Sequence, residues 1–378
     1  MKNLAFVSLP LVALTLAAAM PARAQSDIVT LVNTDTKAVA EYWTAERFKA
    51  ATPLPMPLAT DSNSKVEPSA PTGKVESADG QAPLLNVLPA EQQLFTPDPQ
   101  VQRSGGGLLE PGAVGTLGAH FTSTRVFPMF TGSATPFSAD RAYPHTTVGK
   151  LFFTIGRQDY VCSASVIQRR IVATAGHCVH SGTKAGFYSN WVFVPSFRDG
   201  TAPFLRWNWR AATVTSTWAS GGGTVPNAAD YAMIEFSDQP ISPEGRPVRL
   251  GDITGWLGWQ TLSLAANHTS KLGYPCNLDN CMKMQNVMSG AFRSGGSNTV
   301  QYGSDAAGGS SGGPWVQNFQ TLQVGGGTGS NTGSNRVVGV TSYGYVSPAP
   351  KVQGASILDS RWVSLFNFLC GRVAGNCN

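Results

Sequence analysis

From Val126 to the C-terminus, the chain consists of short runs of β-branched and aromatic residues separated by Gly, Pro, Asn and Ser. Short apolar runs with turn residues between them are typical of β-sandwiches and β-barrels. The pattern therefore predicts an all-β fold with many short strands. The predicted strands cover residues 148–155, 160–167, 191–197, 231–236, 260–265, 337–342 and 352–358.

The last apolar residues of the chain follow a helical period instead. Asp359 precedes them at the place of an N-cap residue, and Gly371 marks the expected end of the helix. The sequence therefore predicts one C-terminal helix with an apolar face. Four residues form that face: Trp362, Leu365, Phe366 and Leu369.

The first 24 residues have the pattern of a secretory signal peptide. Lys2 precedes an apolar stretch over residues 4–20, and Ala22 and Ala24 form an A-x-A cleavage site. No later apolar run reaches the length of a membrane helix. We expect a protein that is secreted or periplasmic and that does not bind a membrane.

Residues 25–125, which we call the leader, differ in composition from the rest of the chain. They are rich in Pro, Ala, Ser, Thr and Gln and show no sustained apolar period. The leader has 7 Lys/Arg and 11 Asp/Glu, whereas residues 126–378 have 18 and 11. An acidic segment before a basic domain predicts a propeptide that binds this domain, with a disordered linker as the alternative. The basic residues form no cluster with aromatic residues, so we do not expect nucleic-acid binding.

Six cysteines in an exported chain are expected to form disulfides. Their positions suggest local pairs, because each cysteine has one close neighbour in sequence. Cys162, Cys178 and the nearby histidines lack the CxxC or HxxxH spacing of a zinc site, so no metal or other cofactor is predicted. The predicted disulfides are Cys162–Cys178, Cys276–Cys281 and Cys370–Cys377.

Three short segments carry residue types suited to nucleophilic catalysis. His177 follows an apolar run in Thr-Ala-Gly-His-Cys, and Ser311 lies in the glycine-rich loop 308–314. Asp230 stands at the head of an apolar strand. A serine hydroxyl needs a base to activate it and a third group to orient that base, and these segments supply all three.

The order of these residues separates two kinds of serine hydrolase. Residues 309–313 also match G-x-S-x-G, the nucleophile motif of α/β-hydrolases, in which the histidine follows the serine. None of the five histidines follows Ser311. The order His177, Asp230, Ser311 excludes that fold, and the motifs resemble those of the trypsin/chymotrypsin-like serine proteases.

The resemblance implies two six-stranded antiparallel β-barrels with a C-terminal helix, and a cleft between the barrels. His177 and Asp230 would lie on the first barrel and Ser311 on the second. Ser311 would attack protein or peptide substrates, with His177 as the base and Asp230 as its orienting group. The backbone N–H groups of Gly309 and Ser311 would form the oxyanion hole. The Cys162–Cys178 pair matches the family disulfide that brackets the histidine.

One departure from the animal members favours a bacterial branch related to the glutamyl endopeptidases. Animal members have an aspartate directly before the nucleophile, whereas this chain has Ser310. Activation through a new N-terminus that binds this aspartate is therefore not expected. We expect activation by removal of a blocking leader, cut after Arg125 or, as an alternative, after Arg141.

The resemblance leaves substrate preference open. Asp305 lies six residues before Ser311, where trypsin-like members bind Arg or Lys, but bacterial relatives carry this aspartate for structural reasons too. Thr341 stands where glutamyl-specific members tend to have histidine. Ser342 and Gly344 belong to a segment that pairs antiparallel with the substrate backbone in this family. A catalytically silent homologue acting as a binding module is the competing functional class.

Overall fold

The computed structural model describes residues 27–59, 71–98, 119–126, 139–319, 331–345 and 351–377. The predicted signal peptide lies outside these ranges. Within the leader, the elements are β1 (Ile28–Val32), α1 (Thr36–Tyr42), α2 (Ala45–Ala50), β2 (Thr52–Pro53), β3 (Leu58–Ala59), β4 (Ser77–Ala78), β5 (Gln92–Gln93) and β6 (Thr122–Arg125).

The rest of the described chain is built from short strands with few helices. Its first half contains β7 (Val148–Ile155), β8 (Gln158–Gln168), β9 (Ile171–Thr174), β10 (Ser189–Pro195), β11 (Thr201–Ala202), β12 (Trp207–Thr215), α3 (Ser216–Ala219), β13 (Ala232–Phe236), β14 (Gln239–Pro240), β15 (Pro247–Val248) and α4 (Leu250–Thr254). Its second half contains β16 (Gly258–Gln260), β17 (His268–Gly273), β18 (Gln285–Gly296), β19 (Thr299–Gly303), β20 (Pro314–Gln317), β21 (Arg336–Val340), β22 (Gly344–Tyr345), β23 (Val352–Ser356) and α5 (Ser360–Arg372). No helix in the described ranges combines the length and hydropathy needed to cross a bilayer.

Six antiparallel strands close the first barrel. Their order is β12, β10, β7, β8, β9 and β13, and β13 pairs again with β12. β7 and β8 form a hairpin in which Ile155 pairs with Gln158. Gly156 in the two-residue turn takes a φ of +60°, a conformation that such turns require and that glycine adopts without strain.

The second barrel unit is formed by β23, β19, β18, β17, β20 and β21 in that order. Tyr343 forms an antiparallel bridge to Gly354, which connects the segment after β21 with β23. β16 extends this sheet by pairing in parallel with β21, so this edge departs from the predicted antiparallel arrangement. The predicted all-β fold with two barrel units and a C-terminal helix is confirmed.

Most predicted strands agree with the structure. β7 has the predicted bounds, and the other predicted strands agree within two residues at either end, with one exception. The predicted strand 260–265 is wrong, because β16 ends at Gln260 and residues Leu264–Ala266 form a 3₁₀ helix. Outside the leader, six strands of four or more residues were not among the predicted ones: β9, β12, β17, β18, β19 and β20.

The C-terminal helix α5 begins and ends as predicted. Asp359 is its N-cap, and its side chain accepts a hydrogen bond from the backbone N–H of Arg361. The four residues of the predicted apolar face are buried. All six cysteines form the predicted disulfides: Cys162–Cys178, Cys276–Cys281 and Cys370–Cys377.

The described parts of the leader are folded against the two barrel units. β1 pairs antiparallel with β12 along its full length. Val39, Trp43 and Phe48, from α1 and α2, are buried in the main hydrophobic core. Trp43 stacks on Phe48 with their ring centroids 4.9 Å apart, and its edge meets Phe152 of β7. The linker interpretation therefore does not hold for these residues.

Ion pairs between the leader and the rest of the described chain have both polarities. Two follow the predicted charge complementarity: Asp79 pairs with Arg336 and Glu91 pairs with Arg141. Two have the opposite polarity: Arg47 pairs with Asp159 and Arg125 pairs with Asp279. The net charges of the two segments therefore do not account for their association. Apolar residues of α1 and α2 and the added strands also join the leader to the rest of the described chain.

We expect the N-cap of α5 to be a major determinant of stability. Asp359 is fully buried and accepts hydrogen bonds from Tyr231 Oη at 2.9 Å and Thr72 N at 3.2 Å. Burial alone would raise the pKa of this carboxyl, but the Arg361 guanidinium and backbone N–H groups bring the pKa below its usual value. Asp359→Ala should lower the free energy of unfolding by about 3–5 kcal/mol, because it leaves the buried Tyr231 hydroxyl and the partly buried Arg361 guanidinium without this carboxylate.

Chemical denaturation of the two proteins measures this difference. Glu41→Ala is the matched control, since it removes a carboxylate from an exposed i,i+4 pair with Lys37. It should change the free energy of unfolding by less than about 0.5 kcal/mol. Equal losses for both variants would contradict the role given to Asp359.

Candidate active site

The geometry brings His177 and Asp230 together as predicted. His177 follows β9 on a short 3₁₀ helix, Gly176–Cys178, and Asp230 lies two residues before β13. β9 and β13 are neighbours in the first barrel, so the two side chains meet at one end of the barrel. His177 Nδ1 donates to Asp230 Oδ2 at 2.8 Å, and the backbone N–H of His177 donates to Oδ1 at 2.8 Å. Both oxygens of the carboxylate thus fix one imidazole orientation.

Ser342 has a second role that the sequence did not reveal. Its hydroxyl donates to Asp230 Oδ2 at 2.6 Å, and its backbone N–H donates to the carbonyl of Gly354. Asp230 itself is fully buried, and its backbone N–H donates to Ser356 Oγ at 3.1 Å. Residues of the second barrel unit therefore also hold the aspartate that binds His177.

Two glycines give the loop around Ser311 its shape. Gly309 has a φ of +94° and Gly312 a φ of +78°, both in the region that favours glycine. A Cβ on Gly309 would lie 2.5 Å from the carbonyl oxygen of Tyr274, and a Cβ on Gly312 would clash with Thr174 Oγ1. Since Thr174 is the last residue of β9, the Ser311 loop lies against the strand end that leads to His177.

Ser163 on β8 ties this loop to the first barrel. Its backbone N–H donates to the Ser311 carbonyl at 2.7 Å, and its hydroxyl donates to the Gly309 carbonyl at 2.8 Å. The hydroxyl also accepts from the backbone N–H of Tyr274 at 2.9 Å. On the other side, Cys276 N donates to the Gly308 carbonyl at 2.8 Å. Hydrogen bonds from both sides therefore hold the loop in one conformation.

Several groups predicted to act in catalysis have no partner among the described residues. The backbone N–H groups of Gly309 and Ser311 meet no acceptor there. Ser311 Oγ and His177 Nε2 are buried and also lack a hydrogen-bond partner in the described ranges. Unpaired buried polar groups are rare in folded proteins. Two backbone N–H groups, one hydroxyl and one imidazole nitrogen are therefore available to interact with a reacting group.

Asp305 lies near a buried lysine that the sequence analysis did not single out. The Oδ1 atom of Asp305 is buried and has no hydrogen-bond partner among the described residues. Lys271 on β17 is 4% exposed, and its amine donates to Ser289 Oγ. Burial lowers the pKa of Lys271 to about 7, and the nearby Asp305 carboxylate opposes this shift. Both charged groups therefore belong to one polar region beside the Ser311 loop.

Ser310 and Gln353 form the adjoining part of this region. Ser310 Oγ donates to the Ala307 carbonyl at 2.7 Å and accepts from Gln353 Nε2 at 2.9 Å. Ser304 Oγ donates to Gln353 Oε1 at 2.9 Å. The residue in the place of the animal aspartate is thus part of a local hydrogen-bond network. Gln353 is 43 residues from Ser310 in sequence, and no motif points to it.

The cluster of Cys162, His177 and Cys178 has ligand atoms within 4.8 Å of one another. Both sulfur atoms are joined in a disulfide, whereas a metal binds the thiolate form of cysteine. Only the histidine could act as a ligand in this state. The geometry therefore fits a structural disulfide beside His177 better than a metal centre.

Comparisons with known proteins agree with the geometry. Residues 138–358 match the Trypsin protein family. The glutamyl endopeptidase of Bacillus licheniformis is 29% identical over 206 residues, which cover 53% of this chain and 58% of that relative. The chain thus spans little more than half the length of this relative.

Solved structures of serine proteases are similar as well. The thermostable serine protease AL20 from an extremophilic microorganism is 25% identical, with a TM-score of 0.50, and the match covers 60% of this chain and 98% of AL20. The protease Anisep from Arthrobacter nicotinovorans is 26% identical, with a TM-score of 0.49 and coverage of 59% and 94%.

The family match extends over more than half of the chain and includes every residue of the candidate site. The chain therefore belongs to the trypsin family of serine proteases.

Proposed function

We propose that this protein is a secreted serine endopeptidase that hydrolyses peptide bonds through His177, Asp230 and Ser311. The observation that supports this most directly is the pair of 2.8 Å hydrogen bonds from His177 to the buried Asp230 carboxylate. They select the imidazole tautomer with a proton on Nδ1, which leaves Nε2 as the base. The comparison with the glutamyl endopeptidase of Bacillus licheniformis is consistent with this activity.

The proposed reaction proceeds in two steps through an acyl-enzyme. His177 Nε2 takes the proton from Ser311 Oγ as the oxygen attacks the substrate carbonyl, and the N–H groups of Gly309 and Ser311 stabilise the oxyanion. The histidine then gives this proton to the leaving amine, and water hydrolyses the ester by the same route. Asp230 stabilises the imidazolium that forms in each step. No cofactor takes part in this proposal.

Export and processing belong to the same proposal. A signal peptide over residues 1–24 and three disulfides suit an oxidising compartment. Removal of the leader would expose a domain of residues 126–378. A cut after Arg125 requires local opening, since Arg125 ends β6, which pairs with β18, and Val126 is buried. Arg141 lies on a 3₁₀ helix and pairs with Glu91, so this alternative site is not open either.

For substrate preference, we propose cleavage after Arg or Lys, with Asp305 as the recognition residue. Its unpaired, buried Oδ1 could accept a hydrogen bond from a basic side chain. Cleavage after Glu is the second candidate, since the similar Bacillus licheniformis protein is a glutamyl endopeptidase. In that case the amine of Lys271, which interacts electrostatically with Asp305, would supply the positive charge that binds the substrate glutamate.

Ser311→Ala should reduce kcat by about 10⁶-fold, because a triad loses nearly all its effect when one member is removed. The purified variant should fold normally, as judged by circular dichroism, and should not react with a fluorophosphonate. Ser310→Ala is the matched control and should retain most of its activity. Activity that survives in Ser311→Ala but is lost in Ser310→Ala would mean that Ser310, and not Ser311, is the nucleophile.

Asp230→Asn should lower kcat by about 10⁴-fold while KM changes little, because an amide favours the wrong imidazole tautomer. Steady-state kinetics on a peptide substrate measure both constants. Asp238→Asn serves as the control, since Asp238 pairs with Arg170 and not with the histidine. A loss below tenfold for Asp230→Asn would mean that another carboxylate orients His177.

A panel of peptides that differ only in the residue before the cleaved bond tests the preference. We expect the highest kcat/KM for Arg and Lys, and a loss of about 10²-fold on these peptides for Asp305→Asn, since a buried charge pair would be broken. Fastest cleavage after Glu, abolished by Lys271→Met, would support the second candidate and overturn the first.

A further inference from the structure

The leader crosses the candidate active site along residues 52–59, which we call the groove segment. Its first part lies beside β8, where β2 pairs in parallel and Thr52 faces Tyr160. The N–H of Leu54 donates to the carbonyl of Val161 at 3.1 Å. Val161 directly precedes Cys162, whose disulfide partner follows His177. This end of the groove segment therefore lies on the first barrel, close to the histidine.

The last part of the groove segment lies beside the strand that follows Ser342. β3 pairs in parallel with β22, and Leu58 faces Gly344. The N–H of Gly344 donates to the carbonyl of Pro57 at 3.0 Å. Gly344 belongs to the segment expected to pair with the substrate backbone. The leader therefore uses a backbone donor that a substrate would need.

Met56 occupies the position between these two anchor points. Its Sδ accepts a hydrogen bond from Gln353 Nε2 at 3.4 Å, and its methyl group packs on Gly344, where a Cβ would lie 2.7 Å from Met56 Cε. Gln353 also contacts Ser310, the residue before the nucleophile. A Cβ on Gly308 would lie 3.2 Å from the Leu54 carbonyl oxygen. The groove segment thus packs over the loop that carries Ser311.

The direction of the groove segment is opposite to that expected of a substrate. A substrate pairs antiparallel with the strand at Gly344, whereas β3 runs parallel to it. From N- to C-terminus, the leader passes the first barrel, then Gly308 and then Gly344. In this direction its amide groups are reversed relative to those of a substrate, so they do not present a carbonyl carbon to Ser311 with the leaving nitrogen towards His177.

We propose that the groove segment is a reverse-oriented inhibitor built into the chain, with Met56 as its anchor against Gln353 and Gly344. This inference rests on the proposed protease function. It agrees with the complete burial of Ser311 and with the 5% exposure of His177 in the intact chain. The intact chain is therefore held inactive by a segment that its own active site does not cleave.

Labelling with a fluorophosphonate tests the proposal on the full chain. The full-length form and a processed form separated from its leader are labelled in parallel, and the rate of labelling of each band on a gel is measured. We expect the full-length band to react at least about tenfold more slowly, because the groove segment covers the nucleophile. Equal rates would overturn the proposal. If neither band reacts, the proposed protease function fails instead.

A pair of variants tests the anchor. Met56→Ala removes the side chain that contacts Gln353 and Gly344, and should raise the labelling rate of the full-length band by about tenfold. Leu88→Ala is the matched control, since Leu88 lies in the leader outside the groove segment and is 71% exposed, and it should change the rate less than twofold. A peptide of residues 51–59 should inhibit the processed enzyme competitively, and the same peptide with Ala in place of Met should bind about tenfold more weakly. Equal inhibition by both peptides would contradict the role of Met56.

Engineered disulfides test the direction in a Ser311→Ala background, which keeps the chain intact. The pair Thr52→Cys and Tyr160→Cys should form a disulfide, because paired residues on neighbouring strands lie within disulfide distance. The pair Leu58→Cys and Tyr160→Cys should not, because Leu58 lies at the other end of the groove. Mass spectrometry of non-reduced peptides identifies the bond. Formation of the second disulfide without the first would show substrate-like binding and overturn the reverse direction.

Discussion

The arrangement of the two barrel units depends on one buried carboxylate. Asp230 lies at 0% exposure and accepts hydrogen bonds from the backbone and ring of His177 on the first unit and from Ser342 on the second. A carboxylate removed from water is tolerated only when such donors replace its hydration. The two units must therefore meet so that all three donors reach the same side chain. Thr341, next to Ser342, also accepts from the N–H of Gly312, so this contact helps to position the nucleophile loop.

The sequence predicted those elements whose structure is determined by residues that are close together in the chain. β7 pairs with its neighbour through a two-residue turn, and α5 has its own N-cap and apolar face. The strand predicted at 260–265 failed because Leu262 has a φ of +57°, which turns the chain after β16. β18 was missed because serines, glycines and an arginine interrupt its apolar residues, and β12 was missed because Asn208 and Arg210 interrupt its apolar residues. Pairing on both sides, and not local alternation, makes these segments strands.

The candidate site could be predicted only as far as its motifs extend. The histidine, aspartate and serine stand in recognisable local sequences, whereas Ser163 reaches the Ser311 loop over 146 residues of sequence. Gln353 and Lys271 have no flanking pattern either, since their roles come from burial beside the loop. The leader has short helices capped by Asp35 and Thr44, but its few apolar residues are buried only against barrel strands that follow much later. Composition and hydrophobic periodicity do not reveal contacts between residues that are so far apart in sequence.

The many separate attachments of the leader change what a single peptide-bond cut can achieve. β1 is paired with β12, β4 with β16, β5 with β11 and β6 with β18, and hydrolysis of one bond removes none of these contacts. The intact bond instead fixes the effective concentration of the leader at the groove, whatever the protein concentration. Once the tether is cut, the leader becomes a separate ligand, and its occupancy depends on the total protein concentration. Activation would then be completed by dilution. The cut enzyme would stay inactive at high protein concentration and would lose its leader after release into a large volume.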